Sequence, residues 1–140
     1  MSVIEWRRER RRILLPVLIL APYPVTDLTG IDGRALVDTG SSISGVAVRI
    51  AEALNLKGLG KRPLNSAQGL GQVQRYAFRV GLRPAAGTLG APSFPFVFDE
   101  VIGIELTNAF EFDSLLGMDI LSQCSFEMLR DGRCRLGFGA

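Results

Sequence analysis

The sequence of 140 residues contains no histidine, and this absence excludes several kinds of catalytic site. Hydrolases of the Ser-His-Asp and Cys-His types need an imidazole as their general base, and many zinc sites need one as a ligand. The two cysteines, Cys124 and Cys134, are too few to form a tetrahedral thiolate site. We therefore expect no metal and no other cofactor, and we expect both cysteines to be unpaired thiols in a reducing compartment.

Long apolar runs are also scarce. Residues 13–21 form an apolar run of nine residues, whereas a membrane-spanning helix needs about 20. A signal peptide does not fit this run either, because Pro16 interrupts it and Pro22-Tyr23-Pro24 follows where a small-residue cleavage site belongs. The run is therefore predicted to be a β-strand, and we expect a cytoplasmic protein with no membrane association.

Positive charge is concentrated in one place. Five of the 16 basic side chains are arginines within residues 7–12, while residues 13–140 hold eleven basic and twelve acidic side chains. A nearly neutral body lacks the basic face that nucleic-acid binding needs, so we expect no nucleic acid on the folded part. Residues 1–12 are predicted to be a solvated basic tail, followed by a single folded domain over residues 13–140. Nucleic acid or anionic lipid stays open as a partner for the arginines.

Most of the remaining pattern is typical of β-strands. Short apolar or alternating stretches predict strands over residues 13–20, 34–37, 73–82, 125–129 and 133–138. Helical spacing of apolar residues predicts two short helices, over residues 46–54 and 118–123. We expect loops over residues 58–72 and 99–114, and tight turns at the Asp-Gly pairs 32–33 and 131–132. The chain is therefore predicted to be one mostly β domain.

A tripeptide with catalytic potential, Asp38-Thr39-Gly40, ends one of these strands. Leu36 and Val37 precede it, and two serines follow it. Further along the chain, Leu115-Leu116-Gly117-Met118-Asp119 ends another apolar strand and enters the second predicted helix. This order of motifs, which covers about residues 30–138, resembles the retroviral-type (retropepsin-like) aspartic proteases and their cellular and bacterial relatives.

The resemblance implies both a fold and an activity. The fold would be mostly all-β, a single-domain retropepsin-like acid protease fold whose closed β-barrel-like lobe carries a flap hairpin and one or two short helices and forms a twofold homodimer. The activity would be that of an aspartic endopeptidase, in which a water molecule is activated between two Asp38 carboxylates. Two carboxylates about 3 Å apart share a single proton, and this chain has one such tripeptide, so each subunit must supply one aspartate. The implied partners are a second copy of the chain and an extended peptide.

The resemblance also assigns roles to the residues around Asp38. Thr39 is expected to hydrogen-bond across the twofold axis, and Gly40 is expected to leave room for the substrate. The Ser41 hydroxyl is expected to bond the Asp38 carboxylate and to favour its ionised form, which implies an acidic pH optimum. The flap that closes over the peptide corresponds to Ala67, Gln68, Gly69, Leu70 and Gly71.

Behind this loop, the resemblance places Leu115-Leu116-Gly117 as structural support. The sequence departs from many viral members at two positions, with Met118 where they carry arginine and Ser42 where they carry an acidic residue. The ion pair that braces the loop in those enzymes is therefore absent from this chain. We expect Asp119 to brace the loop through hydrogen bonds instead.

Two other functions stay open at this point. A retropepsin-like fold that no longer cleaves would serve as a dimeric binding or regulatory module. A β-rich interaction domain of different ancestry would use its arginine-rich segment to bind an acidic partner. Replacing Asp38 with asparagine separates the protease from the first alternative, and a strictly monomeric chain that is insensitive to pepstatin-like peptides favours the second.

Overall fold

The computed structural model describes residues 2–66, 69–83 and 95–139. Within these residues the chain forms ten strands and two short helices, which confirms the predicted mostly β character. In chain order they are β1 (Ser2–Arg7), β2 (Leu14–Leu20), β3 (Ile31–Val37), β4 (Gly45–Ala47), α1 (Val48–Ala53), β5 (Gly58–Ser66), β6 (Gly69–Leu82), β7 (Phe96–Leu106), β8 (Ser114–Leu116), α2 (Met118–Leu121), β9 (Ser125–Met128) and β10 (Arg133–Phe138).

Seven of the strands form one sheet that closes on itself. The strand order is β2-β3-β8-β4-β7-β6-β5, and a further pairing of β2 with β6 joins the ends of the six-stranded part. Strand β5 pairs only with β6 in this sheet, so the β5–β6 hairpin extends from the closed lobe. The closed lobe that the family resemblance implied is therefore confirmed, and a hairpin extends from it.

The interior of the lobe is filled by side chains from strands that lie far apart in sequence. Leu15 and Ile19 of β2, Phe78 and Val80 of β6 and Leu116 of β8 are completely buried. A second sheet, with strand order β1-β10-β9, packs against the lobe and contributes to the same core. Burial of these apolar surfaces, at about 25 cal/mol per Å², is the main force that holds the two sheets together.

The N-terminal residues belong to the second sheet, so the predicted solvated tail is wrong for residues 2–7. Strand β1 runs antiparallel to β10, with Ile4 opposite Leu136 and Trp6 opposite Cys134. Ile4 is buried and Trp6 is half-buried, while the residues between and beside them are more exposed, as the two-residue period of a strand requires. The alternation of buried and exposed residues is short, and the charged residues that follow it directly made the whole segment resemble a solvated tail.

Three further predictions changed. Residues 58–66 and 69–72 are strands and not a loop, because β5 and β6 pair through their backbones and need no buried face. The stretch 99–106 belongs to β7. The pair Asp32-Gly33 lies inside β3 rather than in a turn. Glycine is required there by close packing, since a Cβ at Gly33 would lie 2.8 Å from Oδ2 of Asp113.

The two helices are shorter than predicted. Helix α1 begins at Val48 because β4 occupies the three residues before it, and α2 ends at Leu121. None of the helices in the described ranges is long and apolar enough to cross a membrane.

Neither cysteine forms a disulfide. Cys134 is buried and Cys124 is half-buried. Burial raises the pKa of both thiols, so both are protonated near neutral pH. In the hairpin of β9 and β10, Cys134 lies opposite Met128.

Candidate active site

Asp38 lies at the point where β3 ends, and its backbone is held from both sides. Its own N–H donates to the carbonyl of Leu116 at 3.0 Å, and the N–H of the preceding Val37 donates to the carbonyl of Ile13 at 2.9 Å. The parallel pairing of β3 with β8 continues to Val37, so the loop begins from the edge of a regular sheet. A side chain on such a rigid element is held in a defined position.

The turn after Asp38 directs backbone groups towards its carboxylate. The N–H of Gly40 donates to Oδ1 of Asp38 at 2.9 Å, and the N–H of Ser41 donates to the Asp38 carbonyl at 3.2 Å. A Cβ at Gly40 would lie 3.2 Å from Oδ1. Asp38 is half-buried, while Thr39 and Gly40 are exposed. The carboxylate therefore has one oxygen fixed by the turn and lies beside an open surface.

The hydroxyl of Ser41 does not make the expected bond. It donates to the carbonyl of Ile43 at 2.7 Å, so the predicted hydrogen bond from Ser41 to the Asp38 carboxylate is wrong. The chain folds back after Gly40, which turns the Ser41 side chain towards the backbone two residues ahead. The backbone N–H of Gly40 is a donor that does reach the carboxylate. The acidic pH optimum was expected from a Ser41 bond to Asp38, so the structure gives no support to that reason for it.

The segment Leu115-Leu116-Gly117 lies directly behind this loop. Leu116 is completely buried, and Leu115 is half-buried in a small cluster beside the main core. A Cβ at Gly117 would lie 2.6 Å from the carbonyl oxygen of Ile43 and 2.9 Å from that of Ser41. The N–H of Met118 donates to the Ser41 carbonyl at 2.7 Å. Glycine is needed at residue 117 because the backbone of the loop occupies the space of a side chain.

Asp119 is tied to the far end of the loop by way of Ser44. Its Oδ1 accepts from the Ser44 hydroxyl at 2.7 Å, and its Oδ2 accepts from the Ser44 N–H at 3.1 Å. The N–H of Gly117 donates to the same hydroxyl at 3.0 Å. Ser44 is completely buried and was not singled out from the sequence, where one of three serines within residues 41–44 carries no signal. The structure thus gives Asp119 a bracing contact without an ion pair.

Three of the residues assigned to the flap, Gly69, Leu70 and Gly71, begin β6 at the end of the β5–β6 hairpin. Ser66 pairs with Gly69, and Ala67 and Gln68, between them, lie outside the described residues. Gly69 has a φ of 110°, in the left-handed region that favours glycine. Leu70 is 77% exposed, and a Cβ at Gly71 would meet no atom within 4 Å among the residues that the structure describes. Leu70 and Gly71 are therefore not packed against any of the other described residues.

Comparison with known proteins bears on the fold. No protein-family model matches this sequence, and no curated protein matches it. Among solved structures, a retropepsin-like aspartic protease from Rickettsia conorii is similar, with a TM-score of 0.64 and 16% sequence identity. The match covers 99% of this chain and 93% of that chain. The chain therefore has a retropepsin-like fold, with Asp38 in the loop that follows its third strand.

Proposed function

We propose that the protein is an aspartic endopeptidase that acts as a homodimer. The observation that carries the proposal is the setting of Asp38, a half-buried aspartate in a hydrogen-bonded turn at a strand end of a retropepsin-like fold. The turn fixes one carboxylate oxygen and leaves the residue beside an open surface. A carboxylate held in this way is suited to orient a water molecule against a peptide bond.

The chemistry requires a second carboxylate, which we assign to Asp38 of a second copy. One carboxylate is ionised and accepts a proton from water as the water oxygen attacks the peptide carbonyl. The other is protonated and donates its proton to the carbonyl oxygen. When the tetrahedral intermediate collapses, the first carboxyl gives the proton it took from water to the amide nitrogen, the second carboxylate takes a proton from a hydroxyl of the intermediate, and the C–N bond breaks. Two adjacent carboxylates sharing one proton supply both functions, because like charges oppose ionisation of the pair.

The neighbouring residues complete the proposed site. The Thr39 hydroxyl bonds across the twofold axis and aligns the two loops, and Gly40 lets the peptide approach the carboxylates. The tip of the β5–β6 hairpin is the flap, and it closes over a peptide that is bound in an extended conformation. Gly117 and the Ser44–Asp119 contact keep the loop in place from behind.

The test compares the parent with Asp38→Asn in a mixed-peptide cleavage profile, with the oligomeric state of both measured by sedimentation. Asparagine keeps the shape of the side chain and its acceptor oxygen for the Gly40 N–H. We expect both proteins to be dimers, and we expect cleavage to fall by about a thousandfold or more in the variant. An Asp38→Asn protein that cleaves as well as the parent would refute the assignment. A dimer that binds peptides while neither form cleaves them would identify a binding module instead.

A further inference from the structure

The connection between β1 and β2 carries four arginines, Arg8, Arg10, Arg11 and Arg12, to which the proposed function gives no role. We call residues 8–12 the arginine turn. The N–H of Glu9 donates to the carbonyl of Arg12 at 2.9 Å, and the N–H of Arg12 donates to the carbonyl of Glu9 at 2.8 Å. The chain therefore reverses at Arg10 and Arg11. A guanidinium N–H of Arg8 donates to the Arg10 carbonyl. The turn therefore has a defined shape and is not a loose tail.

The arginine turn lies at the same end of the sheet as Asp38. Leu14 pairs with Leu36 in the antiparallel pair of β2 and β3, and the carbonyl of Ile13 accepts the N–H of Val37 at 2.9 Å. Continuing this register by one residue places Arg12 opposite Asp38. Partners across an antiparallel pair are about 5 Å apart, so Arg10 and Arg11, which extend beyond Arg12, lie roughly 10 Å from Asp38.

Two carboxylates near the arginine turn, those of Glu9 and Glu111, already have ionic partners. Glu9 accepts from Arg34 at 3.0 Å, and Glu111 accepts from Arg12 at 3.0 Å. Arg10 and Arg11 are exposed, and neither side chain has a hydrogen-bond or ionic partner within the described ranges. The turn therefore presents two exposed arginines that are adjacent in sequence, have no partner within the described ranges and lie roughly 10 Å from the proposed catalytic aspartate.

We infer that Arg10 and Arg11 bind acidic side chains of the peptide substrate, an inference that rests on the proposed function. An extended peptide advances about 3.3 Å per residue, so a side chain three residues from the scissile bond is about 10 Å away from it. Each subunit of a twofold dimer supplies one arginine turn, so the preference applies on both sides of the bond. A short acidic peptide suits two charges better than nucleic acid does, because the rest of the chain is nearly neutral.

The test uses two fluorogenic peptides built on the best sequence of the cleavage profile. One carries glutamate at the positions three residues to either side of the scissile bond, and the other carries glutamine there. We expect the parent to cleave the glutamate peptide with a kcat/KM about three- to tenfold higher, mainly through a lower KM, and we expect the ratio to fall with added salt.

The variant Arg10→Gln/Arg11→Gln should bring this ratio close to one and leave cleavage of the glutamine peptide unchanged. Arg83→Gln is the matched control, because Arg83 pairs with Asp32 near the other end of β2 and β3. It makes the same substitution away from the arginine turn, and the parent ratio should persist. The double variant should remain a dimer.

The possible failures are distinguishable. Equal cleavage of both peptides by the parent, or an unchanged ratio in the double variant, overturns the inference and leaves the proposed function standing. Cleavage of neither peptide overturns the proposed function, and fluorescence anisotropy of the labelled peptides then decides whether the parent prefers the glutamate form. A double variant that is monomeric, or that loses only binding to an oligonucleotide or to phosphatidylserine vesicles, also overturns the inference.

Discussion

Two loops of this protein are each held by one charged side chain from elsewhere in the chain, and the two charges have opposite signs. The proposed active-site loop, residues 38–44, is held by the Asp119 carboxylate through the hydroxyl and N–H of Ser44. The loop over residues 21–29, which we call the carbonyl loop, is held by the Arg79 guanidinium. Within the described ranges neither charge has a salt-bridge partner. Neutral dipoles take the place of the counter-ion in both loops.

The difference between the loops lies in how many groups depend on the charge. The side chain of Arg79, in β6, is almost completely buried. It donates to four backbone carbonyls, those of Ala21, Pro24, Val25 and Asp27, at 2.6, 3.2, 3.0 and 2.7 Å. Asp119 is half-buried and contacts a single residue of its loop. A buried charge is tolerated where several hydrogen bonds replace its hydration, so the Arg79 contacts should contribute more to stability.

The first prediction concerns the Arg79 contacts, which should contribute more to stability than the Asp119 contacts. Arg79→Met removes the charge and leaves four carbonyls without their donor, so we expect the free energy of unfolding to fall by about 3–5 kcal/mol. Arg79→Lys should recover only part of this loss, because an ammonium group cannot reproduce the planar array of the guanidinium. Chemical denaturation monitored by fluorescence of the single tryptophan measures both effects.

The matched control is Arg83→Met, just after the end of β6. Arg83 is exposed and, among the described residues, it forms an ion pair with Asp32, so we expect a change of about 1 kcal/mol or less. If Arg79→Lys were as stable as the parent, a simple positive charge would be sufficient and the array of carbonyl contacts would not explain the loop.

The second prediction concerns the contact between Ser44 and Asp119. Ser44→Ala removes the hydroxyl that joins Asp119 to the N–H of Gly117, so we expect the free energy of unfolding to fall by about 1–3 kcal/mol. Because Ser44 ends the proposed active-site loop, we expect kcat for peptide cleavage to fall as well, while the proposed dimer persists. Ser42→Ala is the control, since Ser42 is exposed, and it should change stability by about 0.5 kcal/mol or less.

A double-mutant cycle with Asp119→Asn then isolates the bond itself. A coupling energy of about 1 kcal/mol between residues 44 and 119 is expected if the hydroxyl and the carboxylate act on each other. Strictly additive effects would mean that the buried hydroxyl acts through Gly117 alone.

The sequence predicted those features of the proposed active-site loop and its support that depend on neighbouring residues. An apolar strand before Asp38 and a leucine pair before Gly117 are short-range signals, because strand periodicity and the need for glycine at a close approach appear in neighbouring residues. The Ser44–Asp119 bond joins residues 75 positions apart, and the Arg79 contacts join residues more than 50 apart. Such pairs depend on how the sheet closes, and the closing pair of β2 and β6 has no local signature.

The last and smallest prediction asks whether the carbonyl loop also responds to pH. The hydroxyl and the backbone N–H of Thr29 donate to Oδ1 of Asp27 at 2.5 and 2.9 Å, and these bonds lower the pKa of that carboxyl below its ordinary value. In acid the unfolded chain therefore binds this proton more readily than the folded chain does. The contribution of Asp27 to stability is present above about pH 4 and is lost as the pH falls through the lowered pKa.

Urea midpoints of the parent and of Asp27→Asn, measured from pH 6 to pH 2, should therefore differ at the upper end and converge at the lower end. Thr29→Val should give an intermediate curve, because it removes the hydroxyl donor and keeps the backbone one. The effect should be modest, since Asp27 is at the surface and water competes for its bonds. Parallel curves for all three proteins would mean that the carbonyl loop depends on Arg79 alone and that its own carboxylate contributes no pH dependence.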